Sequence, residues 1–144
     1  MTRDVYISLR GLQFEESRTD TEQIETVVPG VYYEKNGRHY VIYDEELEGF
    51  EQPVKNTVKF AYPCLELTRR GPVNVRMVFE ENKKNTVDYH TPYGTILLGI
   101  YTKKIHIAQE SDRIVVNVDY SLDIYEEFYA GCKLVMDIRS TENG

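Results

Sequence analysis

Arg69 is the charged side chain that the sequence places most clearly where it could do chemistry. It shares strand parity with Leu65 and Leu67, so it points inward if the leucines do. A buried guanidinium must find a partner because its desolvation penalty is large. Two interpretations remain open: an internal ion pair with Glu45 or Asp44 that closes one end of the fold, or a two-pronged clamp for a ligand carboxylate or phosphate.

Residues 89–94, with the sequence Tyr-His-Thr-Pro-Tyr-Gly, form a second candidate. The proline fixes its own φ angle and the glycine permits a positive φ, which predicts a defined turn between two strands. Parity places Tyr89 and Thr91 on the inward face. Tyr89 and Tyr93 suit either the mouth of a ligand pocket or a cover over the end of the core, and both interpretations remain open.

Met77 and Tyr120 complete the set of candidate ligand-binding residues. Met77 alternates in phase with Val75 and Phe79, and Tyr120 is the polar-tipped residue of an otherwise aliphatic stripe over residues 114–124. Both are expected to face the interior, where they either line a ligand cavity or fill the core.

Motifs for metal binding and for common enzyme classes are missing from the sequence. The three histidines are far apart, without the spacing of a zinc or iron site. The acidic stretch 44–51 lacks the ligand order of a calcium loop and predicts a solvated loop. There is no Gly-x-Ser-x-Gly, P-loop or Gly-x-Gly-x-x-Gly motif. We therefore expect no metal and no cofactor, and the motifs identify no catalytic residue.

The elements that must position these residues are strands. From Ile114 to Ile124 the chain alternates apolar and polar residues, with Val115 as the exception, which is typical of a strand with one buried and one wet face. Such strands belong to antiparallel sheets. Strand patterns recur between short turns, of which Asn36-Gly37 is the strongest hairpin signal. We predict an all-β fold, an antiparallel up-and-down β-barrel of about eight to ten strands.

Turn signals set the expected boundaries of these strands. Gly11 predicts a bend at the end of the first strand, and residues 22–35 form a second extended stretch. A polar turn is expected at Lys83–Asn85. Gly131 is expected to separate the last two strands.

Length, charge and cysteine content restrict the class of protein. The 144 residues suit a single domain over residues 1–144, with a frayed tail at 140–144. The formal charge of −7 disfavours nucleic acid, and no apolar run approaches the roughly 20 residues of a membrane span. Cys64 and Cys132 do not make a disulfide scaffold, and the start of the chain lacks the apolar core of a signal peptide. We therefore expect a cytoplasmic protein.

A series of short signatures runs along nearly the whole chain: Val5-x-Ile7 running to Gly11, Tyr43-x-Glu45 before Gly49, Thr57-Val58-Lys59, Arg69-Arg70-Gly71, Met77-Val78-Phe79 and Tyr120-Ser121-Leu122. The most specific one is Tyr89-His90-Thr91-Pro92-Tyr93-Gly94. In this order the signatures resemble the YwiB-like family of uncharacterised bacterial proteins. The resemblance spans nearly the whole chain and implies a calycin-like (lipocalin-like) β-barrel. It implies no ligand and no activity, and the absence of tryptophan removes the Gly-x-Trp signature of true lipocalins.

Two non-catalytic functions fit these observations. The first is a barrel that binds a small amphipathic or anionic molecule in its interior, with Arg69 as the polar anchor. The second is a protein–protein interaction module or homodimer, because twelve tyrosines are many for this length and tyrosine is enriched at interfaces. Tyr32–Tyr33, Tyr125 and Tyr129 are the expected contact surface.

The third function is an enzyme of unrecognised type, although we expect a protein without catalytic activity. It would require a polar cluster with perturbed acidity in a cleft, and Arg69 with Glu45 and Thr91 is the nearest candidate. Whether the barrel interior is hollow or filled bears most directly on the choice among the three.

Overall fold

The structure, a computed structural model, describes residues 1–11 and 26–141. These residues form one antiparallel sheet of ten strands. The strands are β1 (Asp4–Arg10), β2 (Thr26–Lys35), β3 (Arg38–Glu45), β4 (Val54–Ala61), β5 (Cys64–Arg70), β6 (Val75–Glu80), β7 (Lys83–Thr91), β8 (Gly94–Gln109), β9 (Arg113–Ile124) and β10 (Glu127–Ser140). The predicted all-β, antiparallel architecture is confirmed.

The sheet curls into a nearly closed barrel. Its order is β6-β5-β4-β3-β2-β1-β10-β9-β8-β7, so every hydrogen-bonded neighbour is also a sequence neighbour except for the pair of β1 and β10. The two edge strands, β6 and β7, are consecutive in sequence and face each other. Within the described residues, a β-bridge between Asn74 and His90 links the two edges. The Asn85 side-chain amide also donates a hydrogen bond to the Val78 carbonyl at 3.2 Å. The predicted up-and-down barrel is therefore confirmed.

The barrel has two ends, which we name by their connections. The terminal end carries the start of β1, the end of β10 and four short turns at residues 36–37, 62–63, 81–82 and 110–112. The loop end carries the connections at residues 46–53, 71–74, 92–93 and 125–126. Strands β3 and β5 both run toward the loop end, so their last inward residues lie there.

Inward-facing side chains pack the middle of the barrel. In β9 the inward stripe is almost completely buried, and it consists of Ile114, Val116, Val118, Tyr120 and Leu122. A cavity of about 10 Å³ lies among inward residues of β1, β4, β5 and β10. That volume is about the space of one water molecule, too small for a ligand. The part of the interior lined by these residues is filled.

Two predicted turns are wrong in position. The polar turn expected at Lys83–Asn85 lies at Glu81-Asn82, where Asn82 has a φ of 65°, and β7 already begins at Lys83. Gly131 lies within β10, because the chain turns between β9 and β10 at residues 125–126. Tyr125 and Glu126 adopt positive φ values of 51° and 70° there. Neither residue is a typical turn former, so the sequence contains no signal for this hairpin.

Other boundaries agree with the sequence. Asn36 and Gly37 form the predicted hairpin turn, with φ values of 54° and 77°. Gly11 follows β1 with a φ of 89°, and a Cβ there would lie 1.8 Å from the Lys133 carbonyl oxygen, so only glycine fits. Residues 22–25 of the second predicted stretch and residues 142–144 of the tail lie outside the described residues.

Candidate functional site

A row of inward polar residues crosses the barrel near its loop end. Tyr43 on β3 pairs with Asn56 on β4, Asn56 pairs with Arg69 on β5, and Arg69 pairs with Val75 on β6. The Asn74–His90 bridge then brings Tyr89 of β7 next to this row. Each of these residues alternates with outward neighbours on its strand, so pleating alone points them all to the interior.

Arg69 is the centre of this cluster and is buried, with 8% of its surface exposed. Its Nη1 donates to the Tyr89 hydroxyl at 2.8 Å, and its Nη2 donates to Glu45 Oε1 at 2.7 Å. Its Nε has no hydrogen-bond partner. The inward position of Arg69, which strand parity predicts, is confirmed. Of the two carboxylates that the sequence left open as partners, Glu45 and not Asp44 forms the ion pair.

Glu45 holds the cluster together from the last inward position of β3. Its Oε1 accepts hydrogen bonds from Arg69 and from the Asn56 amide, the latter at 3.3 Å. Asn56 is 1% exposed, whereas the Glu45 side chain is 44% exposed. The cation of this pair is therefore buried, and the carboxylate that neutralises it lies at the boundary with solvent.

Tyr43 adds a buried hydroxyl beside this ion pair. Burial is the largest influence on its acidity and raises the pKa of Tyr43 above its ordinary value. The charge of Glu45 raises this pKa further, and the charge of Arg69 lowers it in part. The phenol therefore stays protonated at physiological pH.

The loop that follows Glu45 encloses a cavity. Residues 46–53 line a volume of about 290 Å³. Leu47 from this loop packs against the barrel core, while Glu46, Glu48 and Glu51 are exposed. A volume of this size is close to the lower limit of about 300 Å³ for small-molecule pockets. The loop thus combines a volume near this lower limit with an acidic outer surface, and it begins directly after Glu45.

The remaining sequence-predicted residues are not part of this cluster. Met77 is fully buried in the core, and Tyr120 packs edge-on against Phe79 with ring centroids 5.0 Å apart. The Tyr120 hydroxyl donates to the Gly11 carbonyl at 3.3 Å. Tyr93 is 90% exposed in its turn.

Thr91 is held within the turn that follows β7. Its hydroxyl donates to the Gly94 carbonyl at 2.8 Å and accepts from the Tyr93 amide at 3.1 Å. These contacts close the turn locally. The Thr91 hydroxyl is therefore occupied within its own turn, whereas Glu45 and Tyr89 bond directly to Arg69.

The terminal end also contains two inward polar residues, Tyr32 and His39, whose pairing the sequence did not predict. The Tyr32 hydroxyl and His39 Nδ1 lie 2.8 Å apart, and the His39 ring stacks on Phe60. Parity with Val41 was the available signal for His39. Tyr32 is 7% exposed, so its predicted place in an interaction surface is wrong. A cavity of about 520 Å³ opens at this end, lined in part by Tyr32 and Tyr33. The buried polar groups at this end, the Tyr32 hydroxyl and the His39 ring, already pair with each other.

The cysteines show no sign of activation. Cys64 and Cys132 are free thiols, and burial is the main cause that raises the pKa of each. A raised pKa keeps a thiol protonated and a poor nucleophile. Within residues 1–11 and 26–141, no three His, Cys, Asp or Glu side chains converge to hold a metal ion. The same ranges contain no helix that could span a membrane.

Asn56 and Tyr43 are the members of the cluster that sequence reasoning missed. Asn56 lies in phase with Val54, Val58 and Phe60, so its inward direction could have been read from the same alternation that identified Arg69. Tyr43 lies in phase with Val41. Alternation within a strand does not show which strands are neighbours. It therefore could not show that these two side chains lie beside Arg69.

Comparison with known proteins agrees with the barrel geometry. The model of family DUF1934, described as a domain of unknown function, matches residues 7–136. This chain belongs to that family. Among solved structures, the crystal structure of the YwiB protein from Bacillus subtilis is similar, with a TM-score of 0.76 and 20% identity over 96% of this chain and 91% of that one. At that identity the likeness shows the fold alone. No curated protein matches the sequence.

Proposed function

We propose that this barrel binds a small amphipathic molecule at its loop end, with the polar head of the ligand at the Arg69 cluster. The observation that carries the proposal is the Nε of Arg69, a buried charged donor without a partner. Buried donors are almost always satisfied in folded proteins, so an unpaired one requires an explanation, and a functional role is one such explanation. A hydrogen-bond acceptor on a bound ligand would give this Nε its missing partner.

The surroundings of Arg69 support an amphipathic ligand. Val75, the strand partner of Arg69, supplies buried apolar surface beside it, and Leu47 and Phe50 belong to the loop that follows Glu45. The loop cavity of about 290 Å³ has room for an apolar portion, whereas the interior cavity of about 10 Å³ does not. The proposal therefore moves the ligand from the middle of the barrel to its loop end.

The experiment is an NMR titration of the isotope-labelled protein with butyrate and, separately, with butyramide. Both probes have a short apolar chain and a polar head, and they differ in charge. We expect at least one probe to shift the backbone amides of Asn56, Arg69 and Tyr89. If both probes leave these amides unchanged, or shift only residues around the terminal-end cavity, the proposed site is wrong.

A cytoplasmic location is part of the same proposal. It is supported by the two cysteines, which are free thiols, as expected in a reducing compartment. Fractionation of the native host that recovers the protein outside the cytoplasm would contradict it.

Homodimerisation is a second candidate function, favoured by exposed aromatic residues at the loop end. Tyr93 and Phe128 are 90% and 71% exposed, and Tyr125 reaches back to donate to the Thr95 carbonyl at 2.6 Å. Large exposed aromatic side chains are typical of interface anchors. Sedimentation velocity should detect a dimer that Phe128→Ser weakens, and a strict monomer at high concentration would contradict this candidate.

A further inference from the structure

We infer that the ligand head is a carboxylate and that it binds by taking the place of Glu45 on Arg69. This inference rests on the proposed function, because it assigns a chemical class to the ligand of that same site. In the absence of ligand, the Glu45 carboxylate then occupies the position on Arg69 that the ligand carboxylate would take.

The Glu45 carboxylate uses only one of the guanidinium donors of Arg69. A guanidinium can present Nε and one Nη to both oxygens of a carboxylate as two parallel hydrogen bonds. Glu45 meets only Nη2, through Oε1, and that oxygen is shared with Asn56. Nε on the same edge is buried and unpaired. A free carboxylate, not tethered to β3, can satisfy both donors.

The same chain shows the complete arrangement elsewhere. On the outer wall, Arg113 donates from Nε to Asp137 Oδ1 at 3.1 Å and from Nη2 to Oδ2 at 2.8 Å. The inner pair therefore has one hydrogen bond fewer between its charged groups than the outer pair. The missing bond is the one that a bound carboxylate would supply.

Charge balance at Arg69 also favours a carboxylate as the ligand head. Arg69 is 8% exposed, so its cation cannot lose Glu45 without gaining another anion. A neutral amide or alcohol could accept from Nε but could not replace Glu45. An incoming carboxylate leaves the charge of the buried site unchanged.

Solvent beside Glu45 can receive its side chain when it leaves Arg69. Its side chain is already 44% exposed, and it lies at the end of β3, next to the solvated loop 46–53. Release therefore returns the Glu45 carboxylate to water, where hydration compensates in part for the lost contact with Arg69. Glu46, Glu48 and Glu51 in this loop oppose an incoming anion, and salt should weaken this repulsion because all three are exposed.

Carboxylate rescue tests the exchange. In the wild-type protein Glu45 competes with butyrate, so only a fraction of molecules offers a free Arg69. In Glu45→Ala this competition is gone, and we expect butyrate to bind on the order of tenfold more tightly than to the wild type, as for any site whose competent fraction rises from about a tenth to one. Butyrate should also raise the melting temperature of Glu45→Ala more than that of the wild type, at matched ionic strength.

Three variants control the interpretation. Glu45→Gln keeps an amide oxygen for Nη2 and should show the same gain in affinity if Glu45→Ala does not fold. Adding Arg69→Met to the Glu45 variant should abolish butyrate binding. Asp137→Ala removes the carboxylate of the outer pair, and its melting temperature should not respond to butyrate beyond the wild-type response.

Butyramide separates failure of the inference from failure of the proposed function. If butyramide binds the Arg69 cluster as well as butyrate does, and Glu45→Gln changes neither affinity, the site binds ligands but the exchange is wrong. If neither probe binds the wild type or either Glu45 variant, both the proposed function and the exchange are wrong. Tighter butyrate binding by the Glu45 variants, with butyramide unaffected, supports the exchange.

Discussion

Two arginine–carboxylate pairs, one inside the barrel and one on its outer wall, differ in a way that points to function. Outside, Asp137 accepts from both Arg113 and Arg139 through both of its oxygens. Inside, Glu45 meets Arg69 through a single oxygen, and one guanidinium donor remains unpaired. Surface pairs gain little because water competes for them, whereas a buried charge needs its partner. The pair with the unpaired donor is thus the buried one, where an unpaired donor costs the most stability.

The largest expected effect comes from removing the carboxylate of each pair. Glu45→Ala leaves the Arg69 cation buried without a counter-charge, and we expect it to lower the free energy of unfolding by about 2–4 kcal/mol. Asp137→Ala should cost below about 1 kcal/mol, since its partners Arg113 and Arg139 are exposed. Urea denaturation measures both. Equal losses would remove the distinction between the inner and outer pair.

The hydrogen bond between Arg69 and Tyr89 gives the next effect. Tyr89→Phe removes the acceptor of Arg69 Nη1 and leaves a second buried donor unpaired. We expect a loss of about 1–3 kcal/mol in the free energy of unfolding. The matched control is Tyr93→Phe, in an exposed turn, which should change stability by less than about 0.5 kcal/mol. A Tyr89→Phe protein as stable as the control would mean that the cluster tolerates unpaired donors freely.

Thr102 tests whether an unpaired buried polar atom by itself marks a site. Its hydroxyl is buried without a hydrogen-bond partner, like Nε of Arg69, but it is neutral and enclosed by the core. Thr102→Val should therefore raise the free energy of unfolding by about 1 kcal/mol and leave butyrate binding unchanged. A loss of butyrate binding in Thr102→Val would show that the binding determinant extends into the middle of the barrel.

The smallest effect concerns the outer pair and pH. The hydrogen bond from Arg113 holds the pKa of Asp137 below its ordinary value of 3.8, against the opposing effect of burial. A pKa lower in the folded than in the unfolded chain contributes stability above the unfolded value, and this contribution is lost as pH falls through the folded value.

We therefore expect the wild type to be more stable than Asp137→Asn at pH 7 by less than about 1 kcal/mol. This difference should shrink below about pH 4. Urea denaturation as a function of pH measures the difference. A constant difference between pH 7 and pH 2 would mean that the pair does not act through the ionised carboxylate.

Alternation of residues was enough to predict the strands and the inward direction of Arg69. It works because a strand with one wet face repeats every two residues, as β9 does from Ile114 to Leu122. The pairing with Glu45 was one of two options that the sequence left open. It was decided by the position of Glu45 at the last inward place of β3, whereas Asp44 points outward.

The rest of the site depends on contacts that no local pattern encodes. Asn56 and Tyr43 join Arg69 because β3, β4 and β5 pair in one register, and Tyr89 joins because the sheet nearly closes between β6 and β7. The β9–β10 hairpin was missed because residues without turn preference adopt positive φ at Tyr125 and Glu126. Whether Nε of Arg69 has a hydrogen-bond partner depends on distances of tenths of an ångström and on angles. These follow from the packing of the whole barrel.

The most direct test of the account is the Nε–H resonance of Arg69 in the labelled protein, followed during titration with butyrate. The Nε–H resonance of Arg113, already bonded to Asp137, is the internal reference. We predict that the Arg69 signal moves downfield as its Nε–H gains an acceptor, while the Arg113 signal stays in place. An Arg69 signal that does not change at a butyrate concentration that saturates binding would contradict the claim that Arg69 Nε receives the ligand.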